Sequence, residues 1–153
     1  MRLWRLSGLR RARDFDGGFG LFNAGCWNTS GRLVTYCATV PSLAALEKRV
    51  HVTNPDLLPA QAFVEYETPQ DVPIRTIAAS DLPRDWALRE TRTQALGDEW
   101  LDSVREALLV VPSVVIAIES APDRNVLINH RHSATRSIRT VAVTPFTFDA
   151  RLF

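Results

Sequence analysis

The sequence predicts a mixed α/β (α+β) fold, on three observations. Two runs, Leu3-Trp4-Arg5-Leu6 and Ala62-Phe63-Val64-Glu65-Tyr66-Glu67, alternate with the two-residue period of strands that have one wet face. A third, Leu108-Leu109-Val110-Val111, is apolar throughout, as in a strand covered on both faces. Between them lie two stretches of helical period, one entered through Pro41 and one running from Thr91 to Val104.

The totals bound the rest. With 153 residues the chain holds one domain's worth of core, so residues 1–153 are expected to form a single domain. A 46% apolar and 23% charged composition belongs to a soluble globular protein rather than a disordered one. A net charge of +1 supplies no field for gathering nucleic acid, and no direct nucleic-acid contact is expected. Of the 18 basic residues only Lys48 is a lysine; arginine's planar fork suits phosphates and carboxylates, although codon bias accounts for the same excess. Cys26 and Cys37 are too few for a disulfide framework and form no Cys-x-x-Cys pair, which points to reduced thiols and a cytoplasmic location. No membrane insertion is expected, because the longest apolar run, Ala107 to Ile118, is broken by Pro112-Ser113.

In chain order, Leu3 to Leu6 is the first strand, ended by Ser7-Gly8. The cluster Arg10-Arg11-Ala12-Arg13 suits a diphosphate, an acidic partner surface or plain solvation. Gly17-Gly18-Phe19-Gly20 lacks the spacing of a dinucleotide fingerprint, which excludes a Rossmann reading. Ser30-Gly31 is expected to turn between two strands, the second being Leu33 to Ala38 with Tyr36. Pro41 then starts a helix with Leu43, Leu46 and Val50 on its apolar stripe and Glu47 and His51 one turn apart. Thr53-Asn54-Pro55-Asp56 is a turn, and Ala62 to Glu67 a strand whose acids face water. Ile74 to Ile77 is a further short strand, and Asp81 to Trp86 a surface turn with an aromatic anchor. The helix from Thr91 buries Leu96, Trp100, Leu101 and Val104, with Gly97 permitting close approach. Leu108 to Val111 and Val114 to Ile118 are expected to share the sheet, followed by strands over Ile138 to Val143 and Phe146 to Phe148.

The order Gly25-x-Trp27-Asn28, Tyr36, Leu43-Ala44-Ala45-Leu46-Glu47 and, much later, Val111-Pro112-Ser113 resembles the RES domain, a family named for an arginine, a glutamate and a serine. Asn125-x-Leu127-x-Asn129, the Thr93 to Leu101 segment and the Asp149 to Leu152 tail are also similar to that family, so the resemblance covers Leu3 to Leu152. Two positions depart from it. Cys26 stands where the family has its arginine, and His130 where it has a proline.

The resemblance implies an ADP-ribosyltransferase-like fold: a mixed, mostly antiparallel sheet split into two halves around a cleft, with helices at the flanks. It implies the toxin half of an Xre/RES-type toxin–antitoxin pair that consumes NAD by cleaving the nicotinamide–ribose bond, with phosphate or water as acceptor. The cognate partner would be an antitoxin with a helix-turn-helix, assembled with the toxin as a hetero-oligomer. Glu47 would stabilise an oxocarbenium-like sugar carbon, Tyr36 would hold the nicotinamide ring, and Ser113 would bond a ribose or amide. Cys26, Trp27, Asn28, His51 and Asn129 would border the nucleotide. Protein ADP-ribosylation and a silent, partner-binding domain are the alternatives. An arginine at position 26 would supply charge-assisted bonds that Cys26 cannot make, so activity is expected to be attenuated; whether the cysteine is natural or introduced is open at this level. A thiol nucleophile there would need a base, for which His51 has the nearest spacing. His130 and His132 lack a third metal ligand, and no metal is expected.

Overall fold

The computed structural model describes residues 1–153. Its sheet has seven strands, built from β1 (Arg2–Gly8), β2 (Val34–Ala38), β3 (Gln61–Glu67), β4 (Ile74–Thr76), β5 (Leu108–Pro112), β6 (Arg124–Asn129) and β7 (Arg139–Phe146) in the order β4-β5-β6-β2-β1-β3-β7. All neighbours are antiparallel except β4 and β5. The helices are α1 (Phe19–Phe22), α2 (Pro41–Arg49) and α3 (Glu90–Ser103).

The expected split is visible in the register. β1 pairs with β3 along its whole length and β2 with β6 along its whole length, but β1 and β2 meet only at Trp4 and Ala38. Segment 9–16 fills the gap. Arg5 of β1 donates from its guanidinium to the carbonyls of Arg11, Ala12 and Asp14, and Phe15 packs between Tyr66 and His130 at ring distances of 4.9 and 4.7 Å.

The central strands read as continuous apolar runs because alternate residues enter different cores. Leu108, Val126, Ile128, Cys37, Leu3, Val64 and Tyr66 point to one face, which loop residues such as Ala12, Val72 and Ile138 cover. Leu109, Val111, Leu127 and Val34 point to the other, beneath Trp100 and Leu101 of α3 together with Trp27 and Trp86. Leu43 and Ala44 of α2 pack on Ala38, with Trp4, Phe63 and Ile116 around them. Ala38 shares a strand face with Val34 and Tyr36, so α2 and α3 lie over the same side of the sheet.

Several expectations need correction. Ser30-Gly31 precedes β2, but α1 and a turn, not a strand, come before it. Gly17, at φ 71, lies where a Cβ would strike His130 and the β2 backbone, so the glycines of this segment serve close packing. Val114 to Ile118 leaves the sheet, because the Ser113 hydroxyl accepts from the amides of Val115 and Ile116 (3.0 and 3.2 Å) and turns the chain outward. The two closing strands are one, Arg139–Phe146, and Phe148 lies beyond it.

Helix α3 stops at Ser103, with Val104 left-handed at φ 51. A β-branched residue there is strained, so Val104→Gly should raise stability by about 1 kcal/mol in urea denaturation; a loss would contradict that reading.

His130 ties the fold to pH. Its Nε2 lies 2.8 Å from Thr35 Oγ1, and burial pushes the imidazole down from 6.5 to about 4, helped by Arg5 and opposed by Asp16. The unfolded chain therefore binds the proton more readily. Stability should be full above about pH 6.5 and fall toward pH 4 by up to about 3 kcal/mol. Denaturation midpoints at pH 7 and 4.5 should diverge in the wild type and much less in His130→Gln; equal divergence would refute the assignment.

Candidate active site

Glu47 is placed by the register of α2. Leu43 and Ala44 bury themselves on the sheet, and Glu47, one turn later on that side, is carried half-buried toward the ends of β5 and β6. There its Oε1 accepts from Ser113 Oγ at 2.8 Å and Asn125 Nδ2 at 2.6 Å. Ser113 is fully buried and its single proton is directed at Glu47, so in this geometry the hydroxyl positions the carboxylate. Oε2 has no hydrogen-bond partner within the chain and remains the free face of the acid.

Tyr36 lies on β2. Its hydroxyl donates to Asn28 Oδ1 (2.7 Å) and accepts from the Trp27 amide (3.1 Å), and burial raises its pKa so that the phenol stays neutral. The loop Gly25 to Asn28 is held to the first turns of α3: Thr93 Oγ1 donates to the Cys26 carbonyl, and Gln94 Nε2 donates to the Gly25 carbonyl at 3.0 Å and to Glu90 Oε1 at 3.3 Å. Gly97 allows this approach, since a Cβ there would occupy the space of the Trp27 carbonyl.

Cys26 is surface-exposed, yet its thiol pKa is raised, first by the partial burial of the sulfur and then by the charges of Glu90 and Glu47. A thiol held protonated by its partial burial, and further by Glu90 and Glu47, is the opposite of an activated nucleophile. His51 does not assist it, because α2 ends at Arg49 and His51 lies in an exposed turn, its amide bonded to the Lys48 carbonyl. The expected pairing of Glu47 and His51 on one helix face is therefore corrected.

Three other candidates are structural in their placement. Trp27 is 1% exposed and packs on Trp86 with ring centroids 6.2 Å apart, so its ring is unavailable for stacking. Asn28 is fully buried and braces Tyr36 while donating to the carbonyls of Asn23 and Thr29. Asn129 donates to the Leu101 carbonyl and accepts from the Arg131 amide, at the end of β6 opposite Asn125. At about 3.3 Å per residue the two asparagines are roughly 13 Å apart. His130 and His132 turn to Thr35 and to the Ala134 amide respectively.

Asn125, Gln94, Thr93 and Glu90 were missed as site residues. Asn125 opens the Asn-x-Leu-x-Asn motif, a signal that could have found it; the α3 residues carry none, because their role depends on the loop packed against them. The surface depressions add little. One of about 480 Å³ is lined by Arg75, Glu99, Ser103, Arg105 and Glu106, none of them among the residues above. Another of about 40 Å³ adjoins Ser113 through Pro112, Ile116 and Arg124.

The sheet parts between β1 and β2, Glu47 is held at the ends of β5 and β6 by buried Ser113 and by Asn125, and Tyr36 of β2 bonds the Trp27–Asn28 loop; these features belong to one class of domain. The RES domain family model matches residues 2–149, and the chain belongs to that family. It is 35% identical over its whole length to the full length of Toxin Res from Pseudomonas putida. It is 31% identical to the Prs ADP-ribosylating toxin of a Sphingobium species, covering 97% of this chain and 94% of that protein. The fold resembles that in a crystal structure of the M.tuberculosis MbcT-MbcA toxin-antitoxin complex, with TM-score 0.71, 14% identity, and coverage of 95% of this chain and 84% of that one.

Proposed function

We propose that this chain, residues 1–153 as one RES domain, is the toxin of a toxin–antitoxin pair that consumes NAD by breaking the nicotinamide–ribose bond. The observation that carries this reading is the carboxylate of Glu47, anchored through Oε1 by Ser113 and Asn125 with Oε2 free. When the glycosidic C–N bond breaks, positive charge spreads over the ribose C1′ and ring oxygen. An immobile carboxylate beside that carbon favours the transition state over the ground state. Phosphate or water takes the sugar carbon, and the neutral phenol of Tyr36 orders the nicotinamide end of the cleft.

The residues fit the nicotinamide riboside half of NAD. They supply no guanidinium for the diphosphate at position 26, and we infer attenuated turnover. Cys26→Arg should raise kcat/KM for NAD about ten- to several-hundred-fold, the worth of one or two charge-assisted bonds. Nicotinamide release, followed chromatographically with and without phosphate, distinguishes the acceptors. Release by neither form would leave a silent partner-binding domain.

A second reading, transfer of ADP-ribose to a protein, is favoured by the name of the Sphingobium relative. Labelled NAD incubated with lysate separates the two: label on a protein band supports transfer, and free ADP-ribose or its phosphate supports degradation. The toxin–antitoxin resemblance supports a hetero-oligomer with an Xre-like helix-turn-helix antitoxin in the cytoplasm, where NAD is available. No helix is long and apolar enough to cross a membrane.

A further inference from the structure

Helix α2 carries Glu47 but has little of its own to fix the turn that does so. Its 9 residues fall short of what keeps a helix formed in isolation, and only Leu43 and Ala44, near its start, are buried in the core. Ala45 to Arg49 are half-buried, and the residue after them, Val50, stays right-handed, so no left-handed cap closes the last carbonyls.

Arg49 supplies a different closure. Its guanidinium donates through Nε to the Leu152 carbonyl and through Nη1 to the Val52 carbonyl at 3.3 Å, and it lies 4.3 Å from the centroid of the Phe153 ring. The segment that receives it is folded by local bonds. Asp149 Oδ1 accepts from the Arg151 amide at 2.9 Å, both Asp149 oxygens bind the Arg151 guanidinium at 3.0 and 2.8 Å, and the Leu152 amide turns back to the Asp149 carbonyl. Edge-to-face ring contacts then run from Phe153 to Phe148 (5.6 Å), to Phe146 (5.1 Å) and to Phe63 (4.7 Å). Phe63 packs against the cluster of Ala38, Leu43 and Ala44. Both ends of α2 are thereby tied to one aromatic chain, the first by burial and the last by Arg49.

We propose that Arg49 is a positioning residue for Glu47, an inference that rests on the role given to that carboxylate above. Clamping the last turn of α2 to Asp149–Phe153 fixes the direction from which Glu47 reaches Ser113 and Asn125. Both of those bonds go to Oε1, so the carboxylate can pivot about that atom, and the helix decides where Oε2 points. Arginine suits the task because its planar fork spans two carbonyls while its face covers the Phe153 ring; a lysine ammonium keeps the ring contact and one carbonyl. A shift of about 1 Å in a group opposite a developing charge costs about a hundredfold in rate.

The test compares Arg49→Ala and Arg49→Lys, with Lys48→Ala on the same turn as the control, each in the full chain with and without Cys26→Arg. Arg49→Ala should lower kcat for nicotinamide release from NAD about ten- to a hundredfold with KM within about twofold, and Arg49→Lys should recover much of the loss. Hydrogen exchange at the Val50, His51 and Val52 amides should quicken about tenfold while the Ala44 amide is unchanged. In nitrogen-15 spectra the Asn125 side-chain amide signal, which reports the bond to Glu47, should move in Arg49→Ala and stay in Lys48→Ala. An unchanged kcat, or exchange that quickens evenly through the chain as a general loss of stability would make it, overturns the inference. No nicotinamide from any form overturns the proposed function instead, and the Asn125 signal then decides this inference alone: unmoved in Arg49→Ala, it shows that Arg49 does not place Glu47.

Discussion

Glu47→Gln should reduce nicotinamide release from NAD by about a hundred- to a thousandfold while leaving the fold unchanged. The glutamine amide can present its oxygen to Ser113 and Asn125 as Glu47 Oε1 does, so both hydrogen bonds survive. What disappears is the charge. In a cleft walled by α2 and the sheet, losing a fixed charge opposite a developing oxocarbenium ion costs about 3–4 kcal/mol of barrier. The decisive measurement is kcat in the Cys26→Arg background, with the melting temperature as the folding control. Glu47→Gln that turns over at the parent rate would remove the carboxylate from the mechanism. Ser113→Ala in the same background should lose less, because Asn125 still holds Oε1.

Gly97→Ala should be the most damaging single methyl group in the molecule. A Cβ at this position enters the space of the Trp27 carbonyl, which is backbone and cannot rotate away. Either α3 retreats from the loop or the loop moves, and overpacking of this kind costs about 1–3 kcal/mol, occasionally more. Function should fall by more than stability, because Thr93 and Gln94, one turn earlier, fix the carbonyls of Cys26 and Gly25. Gly8→Ala is the control: nothing lies within 4 Å of a Cβ there, and its denaturation midpoint should barely move. Equal midpoints for the two variants would show that the contact between α3 and the loop is not tight.

The two variants probe different sorts of information in the chain. Gly97 was visible as a small residue on a helical stripe, but its neighbour, the Trp27 carbonyl, lies seventy residues earlier and appears in no local pattern. Glu47, by contrast, was singled out through the Leu-Ala-Ala-Leu-Glu string, and the helix around it begins at Pro41 as that residue's fixed φ dictates.

The candidate set shows the same division. Glu47 and Ser113 prove to be in contact, and Tyr36 bonds the loop that carries Cys26. Trp27, Asn28 and Asn129 matched the motif equally well, yet their side chains are spent on the core, on Tyr36 and on Leu101. A motif records that a residue is needed; it does not say whether the need is chemical or architectural. His51 failed for a simpler reason: the four-residue spacing from Glu47 brings side chains together only while the helix continues, and this one ends two residues earlier.

By itself the sequence determined most element types, several boundaries, the family resemblance and the lack of a guanidinium at position 26, because alternation, helical period and residue chemistry are local properties. Tertiary structure alone decided that β1 and β2 touch at one residue pair, that Ser113 turns its proton to Glu47, and that Gln94 bridges Glu90 and the Gly25 carbonyl. The physical reason is that each of these is a contact between groups far apart in the chain, chosen by which buried polar atoms could find partners once the cores had closed.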